Sequence, residues 1–395
     1  MNIATRWLLC TTAVSMIGRG VTATIAALFA TQVVGLGLRE VGLALTAVAG
    51  IAVCLSTWLG HLGDRWGVRG VYAGLQVVEA AGVGSLAWVR DIRMFFVAVL
   101  LIAVADVGLR SAQGTVIQGI VAADQRVRTR AVVRVVSNIG IAAGGAAGGV
   151  VLALDRADGY TFALRATGLL LLLAAGLSML LPAVPQTVRE PGTRRWEVLR
   201  DRPFLQFMAL NGILNIHNPM LKTAIPIWVA VGTDAPKWIV SVVFGVNVVS
   251  VVLLQIRLSR GTDTLRGATR AGRRSGVALA IACILLALSD VTSQALTIGV
   301  LLAAALVHVL GEILESASGW GVSFAVAAPG LTGQYQGVHA MGRGVGDLVG
   351  PVLLTSVAVS AGWSGWLLVA LIFAIAGFLV PRSVGSVVAT PATAP

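Results

Sequence analysis

The sequence predicts an all-α membrane protein whose twelve transmembrane helices form two pseudo-symmetric six-helix bundles. The first observation behind this prediction is composition. Hydrophobic residues make up 57% of the 395 residues, only 12% are charged, and the mean hydropathy is +0.88, whereas soluble proteins carry roughly 25% charged residues. Each bilayer crossing needs about 20 mostly apolar residues. Twelve crossings with short connections therefore use nearly the whole chain.

The second observation is the order of apolar windows, which are separated by charged or Pro/Gly-containing stretches. The windows fall at 6–35, 41–62, 70–89, 94–123, 130–154, 159–182, 204–232, 236–257, 273–291, 294–327, 331–360 and 363–381. They predict an N-terminal bundle (1–183), a cytoplasmic connecting loop (184–203), a C-terminal bundle (204–382) and a disordered tail (383–395).

The third observation is the position of the 29 Lys and Arg residues. Most of them fall between spans on one side, and cytoplasmic loops are the ones enriched in Lys and Arg. The predicted topology is therefore multi-pass in a cell membrane, plasma or inner, with both termini in the cytoplasm. The opposite side holds only Arg39, Arg90, Arg93, Arg156 and Lys237.

Several other classes of protein are disfavoured by the sequence. The net charge of +12 does not indicate a nucleic-acid partner, because the arginines lie between apolar runs rather than on a soluble basic face. The three cysteines, Cys10, Cys54 and Cys283, are scattered through apolar stretches and predict neither a disulfide framework nor a metal site. The nucleotide-binding pattern Gly-x4-Gly-Lys-[Ser/Thr] is absent, so ATP is not expected to drive the protein.

The two halves also show a weak internal repeat. An offset of 205 residues without gaps places Ala122-Ala123 on Ala327-Ala328, Gly145 on Gly350, and Arg110 on Glu315. Two similar halves around a site near the membrane midplane are typical of secondary transporters. In a chain so rich in Gly and Ala, chance matches between small residues are the alternative explanation of the repeat.

A family resemblance begins between the second and third predicted spans, where the chain reads Gly60-His-Leu-Gly-Asp64-Arg65-Trp-Gly67-Val68-Arg69-Gly. This string resembles the loop signature of the major facilitator superfamily, Gly-x-Leu-x-Asp-Arg-x-Gly-Arg-[Arg/Lys], although Val68 stands where the first of the final two basic residues is usual. Glycines permit a tight turn, and Asp64 can either pair with arginine or cap a neighbouring helix N-terminus. With Val68 in place, Arg69 remains as the basic partner.

Three further strings extend the resemblance over most of the chain. Leu109–Gly114, in span four, looks like the family's buried-arginine motif, and Gly346–Pro351, in span eleven, is similar to its antiporter motif. Span five also resembles the antiporter motif, except that glycine stands at 145 where proline is usual; small residues at this spacing equally allow close helix packing. Its glycines are Gly140, Gly144, Gly145, Gly148 and Gly149.

The resemblance is greatest to the bacterial drug:proton antiporter branch. It implies a central cavity lined by spans 1, 4, 7 and 10, and gating roles for the signature residues. The residues to which the gating role extends are Gly60, Asp64, Arg65, Gly67, Arg69, Gly144, Gly145, Gly148 and Gly149. Arg343 and Asp347 lie at i and i+4 in span eleven and are predicted to form a pair that sets helix packing or gating.

Charged residues inside the predicted spans are the candidates for substrate binding and proton coupling, because a charge at the bilayer centre costs about 2.5–3.5 kcal/mol and usually serves a function. Asp106 and Arg110 lie one helical turn apart and are predicted to pair; a static ion pair is the alternative. Loss of Arg110 is expected to leave Asp106 unpaired. Arg19 and Lys222 complete this candidate set, while Glu79 and Arg165 are given no functional role.

His308, Glu312 and Glu315 follow at i, i+4 and i+7 in span ten, which places them on one helix face. Two carboxylates close together in a low dielectric do not both ionise readily. One of them is therefore expected to take up and release a proton near neutral pH. Static pairing with arginine and metal ligation are the alternatives, and the second lacks support from any other His or Cys cluster.

Together these features predict a proton-coupled secondary transporter, not an enzyme, that exports a small amphipathic organic compound by alternating access. The expected energy source is the proton gradient, with no cofactor and no bound metal. The expected partners are the substrate and the lipid bilayer, and the protein is expected to function as a monomer. A proton-coupled uptake symporter of the same fold and a non-transporting membrane sensor or assembly protein are the alternatives.

Overall fold

The structure, a computed structural model, describes residues 3–154, 156–184, 196–290, 294–328 and 330–384. Within these ranges the chain is almost entirely helical and contains no β-strand. The predicted all-α fold class is therefore confirmed. Most of the predicted connecting loop (185–195) and of the predicted disordered tail (385–395) lies outside the described residues.

The helices occur in the predicted order along the chain. The first half contains α1 (Ile3–Leu28), which continues as a π-helical turn (Phe29–Val33), α2 (Leu38–Trp66), α3 (Val68–Leu86), α4 (Ile92–Ile120), α5 (Arg126–Leu154) and α6 (Ala157–Ser178). The second half contains α7 (Arg202–Asn215), α8 (His217–Pro219), a π-helical turn (Met220–Ala224), α9 (Ile225–Val231), α10 (Ile239–Leu258), α11 (Leu265–Leu288), α12 (Gln294–Val326), α13 (Thr332–Leu354), a third π-helical turn (Thr355–Val359) and α14 (Trp363–Ser383).

Nine of the helical segments in the described residues are long and apolar enough to cross a membrane. The predicted third, seventh and eleventh spans are not among them, although helices lie at those positions. Polar residues such as Gln76 and Glu79 lower the hydropathy of α3, the seventh span is broken into α7, α8 and α9, and α13 is rich in glycine and polar residues. The count of twelve spans stays a prediction.

The chain forms two compact units. Unit 1 comprises Met1–Ala123, Val132–Thr193 and Ala328–Met341, and unit 2 comprises Asp124–Ala131, Arg194–Ala327 and Gly342–Pro395. Each unit thus includes a short segment from the other half of the chain. The 205-residue offset maps the first of these segments, 124–131, onto 329–336, inside the second. The predicted bundle boundaries at 183 and 204 stay a prediction.

Helix packing within each unit positions the charged residues. In unit 1, α3 packs against α4 and α6, α2 packs against α4, and α1 packs against α6. In unit 2, α11 packs against α12 and α14, and α12 also contacts α10, α7 and α8. Residues of α1, α3 and α4 can therefore meet in unit 1, and residues of α8, α10 and α12 can meet in unit 2.

The glycines of α5 allow it to approach α1 closely. A Cβ atom on Gly144 would lie 2.0 Å from the carbonyl oxygen of Ile17, and one on Gly20 would lie 2.4 Å from the carbonyl oxygen of Ile141. A Cβ atom on Gly149 would meet nothing within 4 Å. Close packing therefore requires glycine at positions 20 and 144, whereas an antiporter role for this motif stays a prediction.

Replacement of Gly144 by Ala should destabilise the protein by about 1–3 kcal/mol, because the added methyl group overlaps the backbone of α1. The matched control is Gly149→Ala, which adds the same methyl group at open space and should not lower stability. The midpoint of thermal unfolding in detergent, followed by tryptophan fluorescence, compares the two variants. Equal midpoints would show that the α1–α5 contact tolerates a side chain.

Candidate functional site

Two arginines and two carboxylates form a network inside unit 1. Arg19 of α1 binds Glu79 of α3 through Nε (2.7 Å to Oε1) and Nη2 (3.1 Å to Oε2), and its Nη1 donates to Oδ1 of Asp106 on α4. Arg110 donates from Nε and Nη2 to Oδ2 of Asp106, at 2.9 and 2.7 Å. The predicted Asp106–Arg110 contact is confirmed. The network also joins three helices, because Arg19 bridges both carboxylates.

The network corrects one expectation about an individual residue. Asp106 does not depend on Arg110 alone, since Arg19 also binds it. Glu79 is buried and paired with Arg19, and the expectation that it has no functional role stays a prediction. The sequence contained a signal for this pairing, because a carboxylate inside a membrane span usually pairs with another polar group. Only the packing of the helices identifies Arg19 as that partner.

Arg165, the other intramembrane charge that was given no functional role, lies over an aromatic ring. Its Cζ atom is 5.1 Å from the ring centroid of Trp88.

A second cluster lies inside unit 2 and is completely different in chemistry. His308, Glu312 and Glu315 of α12 share one face, as predicted, and His217 of α8 joins them. His217 Nε2 lies 3.5 Å from Oε2 of Glu315, and His308 Nδ1 lies 3.9 Å from Oε2 of Glu312. The imidazole rings of His217 and His308 are packed edge to face, with their centroids 5.3 Å apart. All four side chains are buried.

The backbone of α8 determines the tautomer of His308. Its Nε2 lies 3.1 Å from the carbonyl oxygen of His217, and because a carbonyl only accepts hydrogen bonds, Nε2 is the protonated nitrogen. In the neutral ring, the Nδ1 lone pair then faces Glu312. A lone pair and a carboxylate repel each other unless one of them holds a proton. With the two atoms 3.9 Å apart, a proton can reside on either group, and sharing it in a hydrogen bond requires an approach to about 3.2 Å or less.

Asn247 of α10 completes this cluster. Its Nδ2 donates to Oε2 of Glu312 at 2.6 Å, so one side of that carboxyl group is fixed. His217 and Asn247 were not predicted as site residues. His217 was visible as an intramembrane histidine beside Pro219, which interrupts the backbone hydrogen bonding of a helix, but an asparagine on an apolar helix gives no comparable signal.

The donor atoms of His217, His308 and Glu312 lie within 4.8 Å of one another, which is close enough to consider a metal ion. Ligand atoms around tetrahedral zinc are about 3.4 Å apart, given bonds of about 2.0–2.2 Å. The 3.9 Å separation between His308 and Glu312 exceeds this value, and the same Glu312 oxygen already accepts from Asn247. A proton can be held by either group alone without the loss of that bond. The absence of a metal stays a prediction.

Lys222, the remaining candidate for the cavity, lies on the π-helical turn between α8 and α9 and is exposed. The cluster is therefore assembled from α8, α10 and α12, without a described contact to Lys222.

The Gly60–Gly70 string is not a loop. Helix α2 continues to Trp66 and α3 begins at Val68, so that only Gly67, with φ at +87°, lies between them. The helix continues because the residues from His61 to Trp66 keep the backbone hydrogen bonds of α2, and glycine at 67 then supplies the left-handed conformation that ends it. The predicted loop is corrected to a one-residue break.

Asp64 caps the N-terminus of α13. Its carboxylate accepts hydrogen bonds from the backbone N–H groups of Gly333 (2.7 Å) and Gln334 (3.1 Å). The capping alternative for Asp64 is confirmed. Arg69, expected as its basic partner, instead donates to the carbonyl oxygen of Leu181 at 3.2 Å. Gly60 lies against the same helix start, since a Cβ atom there would lie 2.0 Å from the carbonyl oxygen of Gly333.

Unit 2 contains a similar contact, which was not predicted from the sequence. Asp263, just before α11, accepts a hydrogen bond from the backbone N–H of Val127 at the start of α5. Partial burial raises the pKa of Asp263 above its usual range, and the neighbouring Asp124 carboxylate raises it further. The available signal was Gly261-x-Asp263 followed by Gly267, which lies between the eighth and ninth predicted spans as Asp64 lies between the second and third.

Arg343 and Asp347 lie on α13 and are both linked to α7. Nδ2 of Asn215 donates to the carbonyl oxygen of Arg343 (3.0 Å) and to Oδ1 of Asp347 (3.1 Å). This places the two residues where α13 contacts the end of α7. Their predicted gating role is not tested by this contact.

Comparison with protein families matches residues 8–351 to the Major Facilitator Superfamily. The chain belongs to the major facilitator superfamily. A comparison with curated protein sequences finds no similar relative. Among the solved structures that share this fold are three transporters.

These three structures differ in their similarity to this chain and in the kind of transporter. The human organic anion transporter MFSD10 has a TM-score of 0.73 at 13% identity, over 96% of this chain and 100% of that one. A bacterial homologue of the iron transporter ferroportin, in an outward-facing state with soaked iron, has a TM-score of 0.73 at 13% identity, over 99% of this chain and 100% of that one. A mutant of the nucleoside transporter NupG has a TM-score of 0.58 at 16% identity, over 96% of this chain and 99% of that one. At these identities the likeness shows the fold alone.

Replacement of Asp64 by Asn should impair transport without preventing membrane insertion, because an amide accepts the Gly333 and Gln334 N–H groups more weakly than a carboxylate does. Hydrogen exchange of the backbone amides in 332–336 should become faster in the variant. The control is Asp91→Asn, which changes the cap of α4 itself, where Asp91 accepts from Met94 at 2.8 Å. Unchanged exchange at 332–336 together with full transport would contradict the role assigned to Asp64.

Replacement of Arg19 by Gln should be more destabilising than replacement of Arg110 by Gln. Loss of Arg19 removes the ion-pair partner of buried Glu79 and one partner of Asp106, and breaking a buried pair costs about 3–5 kcal/mol. Arg110 is 49% exposed, and exposed pairs contribute about 0–1 kcal/mol. Thermal unfolding of the two variants measures this order, and the reverse order would disprove the central position of Arg19.

Proposed function

We propose that this protein exports a small amphipathic organic compound across a cell membrane in exchange for protons. The observation that carries the proposal is the buried imidazole–carboxylate cluster of unit 2, in which His308 Nδ1 faces Glu312 and His217 Nε2 faces Glu315. With one added proton, an imidazole–carboxylate pair is neutral overall, and after release of that proton it carries one negative charge, so the pair can bind and release a proton.

The network of unit 1 is suited to a different task. The Arg19 and Arg110 guanidinium groups do not release their protons in proteins, so this network remains charged. We therefore assign it to the stability of α1, α3 and α4 and to contact with a polar group of the substrate through the more exposed Arg110. Proton coupling is assigned to the cluster of unit 2.

Export, rather than uptake, is supported by the likeness of the Gly60–Gly70 and Gly346–Pro351 strings to the drug:proton antiporter branch. A small organic substrate agrees with two structural neighbours, an organic anion transporter and a nucleoside transporter. The positive-inside distribution of arginines supports cytoplasmic termini, and the proposed unit of function is the monomer.

Inverted membrane vesicles with an acidic interior test this function. Proton release on addition of a compound is followed by an acridine dye, and the panel contains lipophilic cations such as ethidium and tetraphenylphosphonium together with amphipathic organic anions. Dye dequenching by at least one compound, abolished by a protonophore, is expected. Proton movement in the same direction as the compound would favour uptake symport, and no response across the panel would favour a non-transporting protein.

Replacement of Glu315 by Gln should abolish proton-driven accumulation but retain exchange of compound across the membrane, because the amide keeps the shape of the side chain and cannot titrate. Glu312→Gln should be milder, because Glu312 already accepts a hydrogen bond from Asn247, and the reverse severity would make Glu312 the proton carrier. The control is Glu40→Gln at the exposed start of α2. If the Glu312/Glu315 double variant still accumulates compound under a pH gradient alone, neither carboxylate is the carrier.

A further inference from the structure

A groove of about 620 Å³ opens on the surface of unit 2 between α11 and α12. Three arginines, Arg270, Arg273 and Arg274, line one part of it, and apolar side chains that include Val277 and Ile281 line the rest. All five lie on α11 at i, i+3, i+4, i+7 and i+11, which is a single stripe along the helix. The groove is thus basic at one end and apolar along the remainder.

The three arginines have no anionic partner among the residues that the structure describes. Within the described part of the chain, none of the three forms a salt bridge, and the first turn of α11 contains no acidic residue. Arg273 lies 5.6 Å from the ring of Phe378 on α14, which Arg382 also contacts at 4.1 Å. Four positive charges therefore lie close together without a described carboxylate to balance them.

The apolar part of the groove is accessible rather than covered. Val277 is 51% exposed, Ile281 44%, and Leu310 of α12 37%. Both helices are long and apolar enough to cross a membrane, so hydrocarbon chains are the expected surroundings of these side chains. The volume lies within the range of about 300–1,000 Å³ that is typical of ligand sites.

We propose that this groove binds an anionic phospholipid, with the phosphate at the three arginines and one acyl chain along the apolar part. Basic pockets between transmembrane helices recognise anionic lipid headgroups, and each Lys or Arg near such a surface contributes appreciably to the attraction. A free phosphate ion would pair with the arginines but would leave the apolar part of the groove unoccupied. A neutral lipid would occupy the apolar part but would leave the arginines without an anionic partner.

The test uses the full chain, purified in mild detergent and titrated with phosphatidylglycerol, phosphatidylcholine or inorganic phosphate. Bound lipid is counted by native mass spectrometry. Wild-type protein should retain phosphatidylglycerol in preference to phosphatidylcholine, and millimolar inorganic phosphate should not displace it. The triple variant R270Q/R273Q/R274Q should bind phosphatidylglycerol about 10- to 100-fold more weakly.

Two controls separate this site from a general charge effect. The triple variant R6Q/R200Q/R202Q removes the same charge at exposed positions that do not line the groove, and it should bind as the wild type does. Ala278→Trp keeps every arginine and fills the apolar part, so it should also weaken lipid retention. Because it preserves all charges, it tests the groove even if the first triple variant fails to fold.

Three results would overturn the proposal: equal losses in the two triple variants, full retention in Ala278→Trp, or displacement by inorganic phosphate. The last result would leave a simple anion site. Because lipid binding is measured without transport, its failure is distinguishable from failure of the proposed function.

Discussion

The need to balance charge inside apolar helices governs the structure of unit 1. Arg19 lies between the carboxylates of Glu79 and Asp106, and Asp106 also binds Arg110. An unpaired ion at this depth is costly, whereas paired ions offset part of their desolvation. Because the partners lie on α1, α3 and α4, the same contacts that satisfy the charges also fix the relative positions of these helices.

Unit 2 meets the same constraint by different chemistry. Its buried acids, Glu312 and Glu315, face histidines rather than arginines. An arginine pair is permanently charged, but an imidazole–carboxylate pair can share a proton and become neutral. This contrast is the reason for assigning proton coupling to unit 2. The broken helix from α7 to α9 makes the arrangement possible, since it presents the carbonyl oxygen of His217 to His308.

Helix ends provide the second recurring interaction. The first backbone N–H groups of a helix lack partners within it, and a carboxylate there is stabilised by the helix dipole. Asp64 accepts from the start of α13 in unit 1, and Asp263 accepts from the start of α5 in unit 2. Each unit therefore holds the beginning of a helix from the other half of the chain through an aspartate. Capping, rather than an Arg69 salt bridge, is what the signature aspartate does in this structure.

The sequence by itself determined the helical fold class, the order of the helices and the shared face of His308, Glu312 and Glu315, because apolar length and helical period are local properties. Tertiary structure alone decided which residues meet across helices: Glu79 with Arg19, His217 with Glu315, and Asn247 with Glu312. Their separations of 60, 98 and 65 residues have no periodic signature. These contacts depend on helix packing, because packing determines how deep each side chain lies and which neighbouring helix it points toward.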